Sequence, residues 1–240
     1  MNDFNNQYET TTTGAGVAYD EGLRSFMLGV YNYMALGIAA TAVFAMFLTT
    51  NQDLTNMLRG MVWLPFIGII GIGFIAPRLI ATGSAATGHA LYWVYVALWS
   101  VLIGPVVSLF AGAGMANLVY QAFFITAAVF GSLSLYGYTT KKDLSAWGKF
   151  LFMATVGFLI AVVLNWLVFQ SGLFGFVISC AGVLIFSAMT AFETQMIKNF
   201  YREGAAESNS RASILGAFML YGSFAALFIN ILNILGFLRD

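Results

Sequence analysis

LFGFVISCAGVLIFSAMTAFETQ, residues Leu173 through Gln195, runs without a charge until it meets Glu193. About 18 or more nearly uncharged residues in a row read as a membrane-spanning helix. An ionisable side chain inside such a helix costs at least a few kcal/mol at the bilayer centre and less toward the interface. Glu193, near the end of the run, is therefore the first candidate for a functional residue.

The rest of the chain agrees with that reading. Of its 240 residues, 60% are hydrophobic and 8% are charged, and the mean hydropathy is +0.84. Soluble domains carry about 25% charged residues, so the lipid bilayer is this protein's solvent. The 25 glycines suit helices whose backbones approach closely in lipid. Nothing basic enough to bind nucleic acid is present, and the single Cys180 excludes an intramolecular disulfide. Residues 1–25 are polar, hold Asp3, Glu9, Asp20 and Glu21 against Arg24, and lack the positive start of a secretory signal. They read as a disordered, uncleaved cytoplasmic tail. Residues 26–240 read as one transmembrane domain.

Breaks made of polar residues, Gly and Pro divide that domain into seven spans, at about 26–48, 61–80, 90–111, 118–138, 149–169, 173–196 and 212–237. Backbone in lipid must satisfy its own hydrogen bonds, and spans of this length without alternating polarity make helices. The fold class is all-α integral membrane. Around Ser171-Gly172 the connection is short enough for a tight hairpin of spans five and six. Pro105 removes a backbone donor from span three and predicts a kink there. Trp63, Trp93, Trp147 and Trp166, with Tyr136, Tyr138 and Tyr201, read as interfacial belts. A cytoplasmic N-terminus places eight cations inside (Arg24, Arg78, Lys141, Lys142, Lys149, Lys198, Arg202 and Arg211) and two outside, Arg59 and Arg239. The positive-inside rule selects that orientation. Seven spans then put the C-terminus outside, unless the last segment is re-entrant.

In that orientation Arg78 and Glu193 fall at similar depth near the cytoplasmic ends of spans two and six. Pairing would lower the cost of burying either charge. Two plainer readings stay open: Arg78 snorkels to headgroups, and Glu193 faces water. In span seven, Gly216, Ser223 and Asn230 recur every seven residues, with Asn233 beside Asn230 on the helix. Such a stripe is packing glue or the lining of a watery cavity. Asn32, Gln121 and Asn165 read as packing, and His89 as a solvated interfacial side chain. With one histidine, no zinc-protease signature, no nucleophile elbow with a histidine partner, no intramembrane aspartate pair and no phosphate loop, the chain reads as a non-enzyme without cofactor.

Several ordered pieces carry a resemblance. Gly22-Leu23-Arg24-Ser25-Phe26-Met27, Val30-Tyr31-Asn32-Tyr33-Met34, Leu102-Ile103-Gly104-Pro105, the run from Phe124 to Leu144 (FITAAVFGSLSLYGYTTKKDL) and Phe192-Glu193-Thr194-Gln195 together resemble the Bax inhibitor family. It is also called the transmembrane Bax-inhibitor-motif family, and the likeness is to its bacterial inner-membrane branch. The resemblance implies seven helices, the seventh central among the other six. It implies a pH-sensitive calcium leak for some members and association with membrane-protease regulation for others. It further implies that a carboxylate of span six, matched by Glu193, pairs with one of span seven under the control of an Arg of span two, matched by Arg78. The match fails at Ser223, which stands where the second carboxylate is expected. Two close carboxylates share a proton and titrate as a pair; Glu193 with Ser223 shares only a hydrogen bond. It also offers a single anionic ligand to a hard divalent cation, which prefers several oxygens.

Two functions are therefore expected to compete. One is a proton-regulated cation leak gated by Glu193 and Arg78, with Ser223, Asn230 and Asn233 along the path. The other is a non-conducting regulator that binds another membrane protein, such as a quality-control protease, through the tail or the loops 139–149 and 197–211.

Overall fold

The computed structural model describes residues 3–239, with side chains from residue 21 onward. Eight helices follow in order: α1 (Asp3–Thr50), α2 (Gln52–Gly60), α3 (Trp63–Thr82), α4 (Ala85–Gly112), α5 (Ala116–Thr139), α6 (Trp147–Leu164), α7 (Gly172–Lys198) and α8 (Ala206–Phe237). No strand occurs among the described residues. Seven of the helices are long and apolar enough to cross a membrane, the first from Glu21 to Thr50. The spans read from sequence correspond to these seven within two residues at most ends; the first, third and seventh spans begin five or six residues earlier than read, at Glu21, Ala85 and Ala206. Of the tail read as disordered, the side chains of residues 1–20 lie outside the described residues. Residues 21–25 already belong to the first span.

The extra helix, α2, is too short to span. Asn51 Oδ1 accepts a hydrogen bond from the Leu54 N–H at 3.1 Å, Asp53 stands in the first turn and Arg59 in the last. Each placement complements the helix dipole. The α6–α7 hairpin closes as expected, by an unexpected device. A π-turn at Asn165–Phe169 ends α6, and Gln170 takes the left-handed conformation at φ 46°. Asn165 Oδ1 accepts from the Ser171 N–H at 3.1 Å, and Ser171 Oγ caps α7 by accepting from the Phe174 N–H at 3.3 Å. Helix α4 continues through Gly104 and Pro105, both buried.

Helix α8 is the most enclosed element. In its most apolar stretch 78% of residues are buried, against 6% for the span containing α6. It packs against α1, α3, α4, α5 and α7, while α6 leans on α7. Small residues allow the close approaches. A Cβ at Gly137 of α5 would overlap the Ala191 carbonyl of α7, and a Cβ at Gly182 of α7 would lie 2.7 Å from Asn230 of α8. Hydroxyl clusters add interhelical bonds. Thr41 joins Tyr221 at 2.7 Å and Ser100 at 2.9 Å, linking α1, α8 and α4. Ser134 joins Tyr31 at 2.6 Å and Thr194 at 3.0 Å, linking α5, α1 and α7. Such bonds average about 0.6 kcal/mol in membranes, so their number matters more than any single one.

Candidate functional site

The seven-residue spacing of Gly216, Ser223 and Asn230 brings all three against α7. Gly216 meets Ile197, Ser223 meets Glu193, and Asn230 lies over Gly182. Ser223 Oγ donates to Glu193 Oε2 at 2.7 Å, and the two residues are 4% and 8% exposed. That is the one hydrogen bond the Glu193 side chain makes among the described residues, and it forms no ion pair there. An ionised carboxylate can accept about four. Asn230 is buried and spends one donor on the Ala226 carbonyl at 2.7 Å.

Arg78 is not brought to Glu193. Ala76 and Ile80 are fully buried on α3, and Arg78 lies two residues from each, on the opposite side of the helix, where it is exposed. Similar depth put the two charges in one layer, but rotation about the helix axis separates them. Exposure four residues from the end of its span lets the guanidinium reach the headgroup layer, which avoids the cost of burying it. Lys198, the cation nearest to Glu193 along α7, is used elsewhere: its Nζ donates to the Tyr138 carbonyl at 3.1 Å and lies 5.1 Å from that ring's centre.

Glu193, Ser223, Asn230 and Asn233 all line one cavity of about 880 Å³. Its walls are α3 and α6, its floor is α7 and α8, and Tyr95 and Trp99 of α4 project into it. Asn233, Gly175 and Ser179 also line a second cavity of about 370 Å³ that continues past Phe110 to Phe237, so the space follows α8 toward its C-terminal end. In the other direction it stops one turn beyond Glu193. Val30, Ile80, Ile197 and Ile214 are fully buried there, Ile80 and Ile214 both about Gly88, Val30 and Ile197 both about Gly216. No group of three His, Cys, Asp or Glu side chains comes together among the described residues. Glu193 and Ser223 alone thus offer a divalent cation few oxygens.

Residues 23–240 match the protein family described as inhibitor of apoptosis-promoting Bax1. The chain belongs to the Bax inhibitor family. It is 36% identical to an uncharacterized protein of Caulobacter vibrioides, with both chains covered throughout. An uncharacterized protein of Rickettsia prowazekii is 34% identical over 96% of this chain and 97% of its own. The inner membrane protein YbhL of Escherichia coli is 34% identical over 90% of this chain and 92% of its own.

Sequence reasoning missed two parts of this Bax inhibitor family site. Tyr95 stacks on Phe218 with ring centres 4.0 Å apart, its hydroxyl over Gly222, and Trp99 stands one turn further along α4. In a span rich in aromatics, no pattern marks these two from the rest. The second part is a clasp beyond Glu193. Gln195 Oε1 accepts from the Leu144 N–H at 2.8 Å, and its Nε2 donates to the Lys142 carbonyl at 2.8 Å. Asp143 Oδ1 accepts from the Ser145 N–H at 2.8 Å, and the Ser145 hydrogen bonds hold this exposed carboxyl below its usual range. Its contribution to loop order is present at neutral pH and disappears as pH falls through that lowered value. Gln195→Ala removes both clasp bonds. Trypsin cleavage after the exposed Lys141 and Lys142 should then accelerate several-fold in the detergent-solubilised protein; an unchanged rate would show that the loop is held by other contacts.

Proposed function

We propose that this Bax inhibitor family protein is a pH-regulated cation leak, calcium being the candidate ion, in a bacterial inner membrane with its N-terminus in the cytoplasm. The family resemblance motivates the reading. The observation that carries it is that Glu193, Ser223, Asn230 and Asn233 line one cavity along the most buried helix. A buried carboxylate without a counter-ion is a natural place for a cation or a proton to act. The apolar layer of Val30, Ile80, Ile197 and Ile214 supplies a closed gate, since a dry constriction stops a hydrated ion. In this arrangement Arg78 stands on the exposed face of α3, apart from the carboxylate, and Ser223 is the partner that sets the carboxylate's geometry.

Calcium efflux from liposomes holding the pure protein, followed across a pH series, tests the proposal. Wild-type flux should change with pH, and Glu193→Gln should abolish that change. The amide keeps the shape and can still accept from Ser223, so the variant isolates the loss of charge. Absence of flux at every pH, or an unaltered profile in the variant, would refute the leak.

A second reading is a regulator of another membrane protein, such as a protease. The ordered loops beside Glu193 favour it. Asn209 holds Arg202 by two hydrogen bonds, at 3.0 Å and 2.7 Å, and Gln195 holds residues 142–144. Lys141, Lys142 and Arg202 are thereby displayed on an organised surface. Reversing these three charges should abolish co-purification of such a partner while leaving the melting midpoint of the bundle unchanged.

A further inference from the structure

We propose that the groove between α3 and α6 binds a membrane-soluble amphiphile with an ammonium head. The nitrogen sits on Glu193, an oxygen of the head accepts from Trp99 Nε1, and the hydrocarbon chain lies along α8. The site stands independently of ion conduction.

Three observations define the occupant. The first is shape. The cavity of about 880 Å³ falls within the roughly 300–1,000 Å³ of small-molecule sites. From Glu193 to Ser179, both in its lining, α7 rises roughly 20 Å, the length of a long alkyl chain. The walls are almost wholly apolar; Glu193, Ser223 and Tyr95 lie at one end of the lining and Asn165, Ser179 and Asn233 at the other, with the one carboxylate at the first end. An elongated, mostly apolar ligand with its charged head at the Glu193 end fits that distribution.

The second observation is charge. Glu193 is buried, accepts one hydrogen bond and has no cationic partner among the described residues. An ammonium brings both the missing charge and up to three donors. A fatty acid would set carboxylate against carboxylate, and like charges in a low dielectric repel strongly.

The third is an orphaned donor. Trp99 is 8% exposed, lines the cavity, and its Nε1 is buried without a well-formed hydrogen bond, the Tyr95 hydroxyl lying near it but out of line. Leaving such a donor unmet costs about 1–3 kcal/mol. A bare metal ion could satisfy Glu193 but has no acceptor for Trp99 and no use for the apolar walls. A head that carries a hydroxyl or carbonyl oxygen a few bonds from its nitrogen satisfies both groups at once. Phe74 of α3 and Phe152 of α6, both exposed and both in the lining, meet with ring centres 6.2 Å apart; entry from the bilayer between α3 and α6 requires only that these two rings swing aside.

The test is one-to-one binding, followed by mass spectrometry of the intact protein released from detergent without any ion gradient. Its probes are the amino alcohol sphinganine, hexadecylamine, hexadecanol and hexadecanoate. Sphinganine should bind at least about tenfold more tightly than hexadecanol or hexadecanoate, with hexadecylamine between them. Glu193→Gln should erase the preference for amines. Trp99→Phe should lower sphinganine to the level of hexadecylamine, and Thr155→Trp, which fills the groove, should weaken all four. Equal binding of hexadecanol and sphinganine by the wild-type protein would overturn the proposal without need of any variant. So would an amine preference that survives Glu193→Gln. Because no flux is measured, failure here leaves the leak reading to its own experiment.

Discussion

Gly137→Ala should cost the bundle about 3 kcal/mol and lower its melting midpoint in detergent by roughly 10 °C. The added methyl would overlap the Ala191 carbonyl oxygen and lie 3.0 Å from two further backbone atoms of the same residue. A side chain in the way could rotate, but backbone in mid-helix cannot, so α5 and α7 must separate. Ala191 is two residues from Glu193, and Ser134 reaches Thr194 across the same contact at 3.0 Å. Separation therefore loosens the candidate site together with the packing. Gly131→Ala, on the same helix with nothing within 4 Å, is the control and should melt as wild type does. Equal midpoints for both variants would show that α5 and α7 are not in contact at this point.

Under the proposed leak, Ser223→Asp should raise calcium efflux about tenfold and split its pH profile into two steps. The 2.7 Å between Ser223 and Glu193 becomes a contact between two carboxylates. Groups that close share one proton and lose it in a second, separate titration. The pair also gives a hard divalent cation more oxygen ligands in one place. Liposome flux across the same pH series as the wild type measures both effects. A single step at an unchanged rate would mean that Glu193 does not lie on the ion's route.

The fold was legible in the sequence because bilayer thickness fixes the length of each span. A window of apolar residues is enough to find Trp63–Thr82 or Gly172–Lys198. Helix α2 was not, since nine residues are too few for such a window and its structure comes from Asn51 and the dipole charges. At the site, Glu193 and the stripe of α8 were visible through charge in an apolar run and through seven-residue spacing. The neighbour of Glu193 was named at Ser223 by alignment to the family pattern, and the hydrogen bond agrees. The pairing with Arg78 went astray because depth is one coordinate and azimuth another. Burial of Ala76 and Ile80 sets the rotation of α3, and hydropathy averaged over an almost wholly apolar helix carries little phase. Tyr95 and Trp99 were missed because their role depends on what they face across α8.

The contrast between the two sides of α8 has a thermodynamic consequence. On one side, Thr41, Ser100 and Tyr221 tie α1, α4 and α8 by hydroxyl bonds, and a displaced hydroxyl finds no substitute in hydrocarbon. On the other, α6 offers the cavity mostly apolar surface, and its span is only 6% buried in its most apolar stretch. For such a helix, neighbouring lipid is an equivalent contact, so a lipid tail and α6 are interchangeable neighbours. The molecule is stiff where polar groups must be matched and exchangeable where only carbon meets carbon. Its shape on the α6 side is therefore shared between the protein and the composition of the membrane around it.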